Sequence, residues 1–263
     1  MAAGSAAAAR AEASDVTLWG EQVDQRRIVD DMVARVSSAL GERLVSVVLY
    51  GSAVHGDTYR EVSQLNLMIV SSDLEPETLG LLGDPVRWWL KLDQPWPRLF
   101  SPELIRDSVD IYPIEFLVIT RHHRVLFGRD ALASVQVDVT LLRLQCEREL
   151  REKLMRLREG YVESRGRPRH VRQLLAASYA SFALVWRGCL HLLGVPVPVH
   201  DGEVAAALCR RLELDPGPFG EVAQIAAGTA SHDEGAVFAR YYRELGEMVT
   251  RIDRFIVRSE KER

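Results

Sequence analysis

The chain has 263 residues, 47 % apolar and 27 % charged, with a formal net charge of −4. This is the composition of a globular protein with room for two cores, not of a collagen-like or low-complexity chain. No window reaches the roughly 18 consecutive apolar residues of a membrane span, and the charge balance gives no ground for a general nucleic-acid or membrane-surface binder.

Residues 1–15, MAAGSAAAARAEASD, are alanine-rich but lack a basic start followed by a strongly apolar run. They read as a disordered leader or frayed helix rather than a signal peptide. From Thr17 to Leu40 the spacing of Val23, Ile28, Val29, Met32, Val33, Val36 and Leu40 predicts an amphipathic helix, with Gly41 as its stop. LVSVVLYGS, 44–52, predicts a buried strand running into a tight loop, and QLNLMIV, 64–70, a second strand. On that second strand Leu65, Leu67 and Ile69 share one face, and Gln64, Asn66 and Met68 the other.

Residues 75–108 read as short helices broken by Pro and Gly, with Trp88, Trp89 and Trp96 as apolar bulk. A third strand is expected at IYPIEFLVI, 111–119, with Glu115 in an otherwise apolar run. HHRVLFGRDAL, 122–132, closes the mixed region, His122 and His123 marking an exposed strand-to-loop transition, with a phosphate or acid–base role as the alternative. After Val135 the pattern becomes helical: 139–163 with acid–base pairs at helical spacing, a break at ESRGRPRHVR, a largely buried helix over 171–195, a short helix near 202–212 and a last helix over 233–263. Strands first and helices later predict an α+β chain: a mixed-sheet domain over 16–135, then an α-helical bundle domain over 136–263. Cys146, Cys189 and Cys209 show neither metal-ligand nor disulfide spacing, which suits buried thiols in a reducing cytoplasm.

A Gly-Ser at a strand end has a physical use. Gly51 lets backbone approach a phosphate closely, and the Ser52 hydroxyl and nearby amides can donate to it. With Gly56 and the alternating polar residues from Ser63, the stretch resembles the signature of the DNA polymerase β-like nucleotidyltransferase superfamily. There Gly-Ser is followed, after a spacer like Ala53 to Ser63, by Asp-hydrophobic-Asp entering the next strand. The resemblance implies a nucleoside triphosphate ligand and Mg²⁺ held by those carboxylates and a third on a later strand. By this correspondence Gln64 and Asn66 stand at the two carboxylate positions, and Glu115 is the candidate third, with Asp110 behind it. The later helices resemble, by architecture alone, the helical domains of aminoglycoside-type and minimal nucleotidyltransferases. RGRPRH, 165–170, matches the Arg-x4-His spacing of HEPN ribonucleases, yet Gly166 and Pro168 mark a basic turn. Arg165, Arg167, Arg169 and Arg172 could form a small anion patch there.

Gln and Asn offer neutral oxygens where two divalent cations would meet a polyanion. Three functions stay open. One is a catalytically degenerate member that binds nucleotide or another anion through Gly51, Ser52, Gln64 and Asn66, or regulates, with no metal. Another is a divergent Mg²⁺-dependent nucleotidyltransferase modifying a small molecule or protein, with Glu115 as metal ligand. The last is a protein with no ligand that pairs with a partner, or with itself, through its helical domain.

Overall fold

The computed structural model describes residues 25–54, 65–198, 201–229 and 233–261. The expected leader, the first turns of the predicted 17–40 helix, and Gln64 lie outside these residues. The described chain divides into two compact units. One comprises the residues through Ser108 with Val118–Val135, the other Val109–Leu117 with the residues from Gln136 onward.

The first unit is built on a mixed sheet of four strands in the order β3-β2-β1-β4. Strand β1 is Leu44–Tyr50, β2 Asn66–Ser71, β3 Arg98–Phe100 and β4 His123–Gly128. β1 runs antiparallel to both β2 and β4, and β2 runs parallel to β3. Helix α1, residues 25–40, presents Val29, Met32, Val36 and Leu40 to the sheet, and all four are buried. They pack with Val47, Leu49, Leu65, Leu67 and Ile69, and with Leu82, Val86 and Trp89. Those last three come from α3, Gly83–Lys91, and the residue before it; α2, Pro76–Leu81, precedes them. Strand alternation therefore sends odd-numbered β2 residues into this core and leaves Asn66 and Met68 on the opposite face. Of the tryptophans, Trp89 is core and donates from Nε1 to the Pro95 carbonyl at 2.7 Å, Trp88 lies under the Arg35 guanidinium, and Trp96 is exposed.

Two expectations fail here. IYPIEFLVI is not a strand: Pro113–Arg121 is helix α5, following α4, Pro102–Ser108. A short run that is apolar on every side cannot be told from a strand by periodicity, and none of residues 113–120 is exposed. Pro113 sits at the first helical position, where its missing N–H costs nothing, and the Ile114 N–H finds the buried Gln145 Oε1 at 2.8 Å. The His122–His123 pair is not a strand-to-loop transition but the step from α5 into β4.

The second unit is helical: α6 Val139–Ser164, α7 Pro168–Leu192, α8 Asp201–Leu212, α9 Gly217–Ala226 and α10 Glu234–Lys261. α9 is an addition to the elements read from sequence. Asp138 caps α6, its carboxylate accepting from the Thr140 and Leu141 amides at 2.7 and 3.1 Å. The core centres on Trp186, stacked on Phe182 and edge-on to Tyr179 and Phe219. All three cysteines are free and buried. Burial pushes the Cys209 thiol up to about 12, with Glu244 and Asp215 adding to it. The Cys189 thiol and burial push Cys146 higher still. These thiols are packing groups. No described helix is long and apolar enough to cross a membrane.

Candidate functional site

Directly opposed residues of an antiparallel pair point to the same side of a sheet. Tyr50 faces Asn66 on β2 and His123 on β4, while Met68, two residues along from Asn66, faces Arg98 on β3. Tyr50, Asn66, Arg98 and His123 therefore share one face, opposite the α1 core. Their proximity is confirmed at one point: Arg98 Nε donates to Tyr50 Oη at 3.0 Å.

Gly51 turns the chain away from β1 at φ +84°, in the left-handed region that favours glycine. A Cβ there would stand 3.4 Å from Asn66 Nδ2. The two motif residues 51 and 66 are thus neighbours, as their spacing in the sequence implies. Ser52–Val54 follows as a turn of 3₁₀ helix. One expected donor is already engaged, because the Gly51 N–H binds the His122 carbonyl at 3.1 Å. Gly51 shapes the loop but does not offer its amide to a ligand. Nor is the His123 ring available, since it bridges the Thr120 carbonyl at 3.0 Å and the Asp130 carboxylate at 3.3 Å.

Glu115 is not on a strand. It belongs to the second unit, at the start of α5, where its Oε2 accepts from Gln145 Nε2 at 3.0 Å. The same Gln145 amide binds the Ile114 N–H. Gln145 thus clamps the first turn of α5 to α6, and Glu115 is half of that clamp. Asp110 lies in the turn before α5, in the same unit.

The residue that sequence reasoning missed is Arg98. β3 is three residues long, too short to show alternation. Its only sequence signal is the pair Pro95 and Pro97, which biases the residues before them toward extended backbone. Yet β3 is the strand beside β2, and it presents on the Asn66 face the Arg98 guanidinium beside Phe100. Among the described residues no group of three or more His, Cys, Asp or Glu side chains is placed to hold a metal ion. Asn66 offers a neutral oxygen and Arg98 a fixed positive charge, so the described residues do not fit a pair of divalent cations.

Among solved structures, the chain is similar to the crystal structure of spectinomycin adenyltransferase AAD(9) from Enterococcus faecialis with ATP and spectinomycin. The TM-score is 0.51 at 11 % identity, over 85 % of this chain and 98 % of that one. At that identity the likeness speaks for the fold, a nucleotidyltransferase-like α+β architecture with a helical part. No family model matches the sequence, and no curated protein does.

Proposed function

We propose that this chain is a binding or regulatory module on a nucleotidyltransferase-like fold, taking a nucleoside triphosphate or a similar polyanion without a divalent metal. The ligand meets the Gly51–Asn66 end of the sheet, with Gly51 and Ser52 forming the loop against which a phosphate lies. Asn66, and Gln64 ahead of it, contribute neutral hydrogen bonds, and Arg98 supplies the positive charge that metals supply elsewhere.

One observation carries the reading: Arg98 of β3 stands on the Asn66 face, exposed, with its Nε held by Tyr50 Oη. A guanidinium so anchored still presents its remaining N–H groups in a planar fork that matches phosphate oxygens. The neighbour's ATP supports the ligand class and no more.

Calorimetric titration with ATP in EDTA tests the proposal. Wild-type protein is expected to bind, Arg98→Ala to lose about tenfold or more in affinity, and Arg98→Glu to lose binding entirely. Because Arg98 is exposed, neither substitution is expected to move the unfolding midpoint appreciably. Equal affinity in wild type and Arg98→Ala would refute the assignment.

A further inference from the structure

The turn between α6 and α7 borders an open cavity of about 500 Å³. From it the structure assigns a phosphate-ester site, distinct from the sheet site and independent of it. We infer that this pocket binds a sugar phosphate of mononucleotide size.

Three side chains that can carry positive charge line the cavity: Arg165, Arg167 and His170. Among the described residues, no hydrogen bond or ion pair engages any of the three side chains. The neighbouring Arg172 behaves differently, since its Nε and a terminal nitrogen reach Glu234 Oε1 at 2.9 and 2.6 Å. Of the four arginines in the basic stretch, two therefore line the cavity with no partner among the described residues, and one is neutralised within the bundle. The single acid on the wall is Glu163.

The turn is held rigidly. Ser164 Oγ donates to the Tyr161 carbonyl at 2.7 Å and accepts from the Gly166 N–H at 3.2 Å. The Arg165 and Arg167 amides donate to the Val162 and Ser164 carbonyls. Gly160 lets α7 approach, for a Cβ there would meet Leu174 Cδ1 at 2.6 Å, and these two residues form the apolar wall. Arg165 itself sits in the left-handed region at φ +51°. Glycine would relieve that strain, so local stability does not explain the arginine.

The pocket's chemistry selects the ligand. Two exposed guanidiniums and an imidazole on the wall of one cavity favour an anion, and the guanidinium forks fit phosphate. A carboxylate on the same wall accepts hydroxyl protons, as a sugar offers. The volume lies within the range of small-molecule pockets, about 300–1,000 Å³, and so takes a mononucleotide rather than a bare ion.

AMP is the probe, titrated calorimetrically into the full-length Arg98→Glu protein so that the sheet site does not contribute. Binding is expected, with affinity lowered about tenfold or more by Arg165→Gly and by Arg167→Ala. Arg165→Gly is expected to melt no lower than its parent, because glycine suits the turn. If it unfolds instead, Arg167→Ala at its exposed position carries the test. Unchanged AMP affinity in these variants, or no AMP binding at millimolar concentration, overturns the inference.

Discussion

At Gly128 the β4 backbone turns through φ +74°, and a Cβ there would stand 2.1 Å from the Val45 carbonyl oxygen. That oxygen belongs to β1 and has no flexible side chain to give way. Gly128→Ala is therefore expected to destabilise the protein by about 2–4 kcal/mol in denaturant unfolding. It would also disturb the β1–β4 pairing that carries Tyr50 opposite His123. Gly51 is different: the space beside it is ordinary, and only its dihedral angle requires glycine. Single residues were unevenly legible in the sequence. Gly51 and Asn66 could be read because a strand-end Gly-Ser and a two-residue alternation are local patterns. Arg98 could not, because what gives it meaning is a register, Met68 opposite Arg98, set between segments far apart in the chain.

Among the elements, α6 shows how a local signal fixes a boundary. Hydrogen bonds from the Leu141 and Thr140 amides hold the Asp138 carboxyl below its usual 3.8. A carboxyl depressed in the folded state stabilises that state above the unfolded value, and the contribution is lost as pH falls through the folded value. Asp138→Ala is thus expected to melt below wild type at neutral pH. In thermal melts followed by circular dichroism, the gap should close as pH drops below about 4; a gap constant down to pH 2 would refute the cap. The long helices were legible from their periodicity and the Gly-Pro break at 166–168. α5 was not. Its run of Ile, Phe, Leu and Val favours a strand by composition, and the deciding groups, Gln145 and the burial of every side, are tertiary. Moving those residues from strand to helix also moves Glu115, from the expected strand to the start of α5, where it accepts from Gln145.

For the whole molecule, the described chain holds two cores, and Val109–Leu117, read from sequence with the mixed-sheet domain over 16–135, falls in the unit with the later helices. The charge of the sheet site was half visible. The sequence shows that acids are missing from QLNLMIV; only the fold shows a cation on the neighbouring strand. On the proposed reading, the neutral Asn66 and the Arg98 cation on the neighbouring strand together favour an anion without metal. The helical unit carries its own basic cavity, so a polyphosphate and a sugar phosphate can be distinguished by titrating variants of each site separately.

The most direct test is titration of ATP into the wild-type protein in Mg²⁺ and, in parallel, in EDTA. The account predicts binding in EDTA that is not strengthened by Mg²⁺ and weakens as salt is raised, as expected of a fixed cation meeting phosphate. Binding that requires Mg²⁺, accompanied by pyrophosphate release that Glu115→Gln abolishes, would contradict it and return the chain to the metal-dependent transferases.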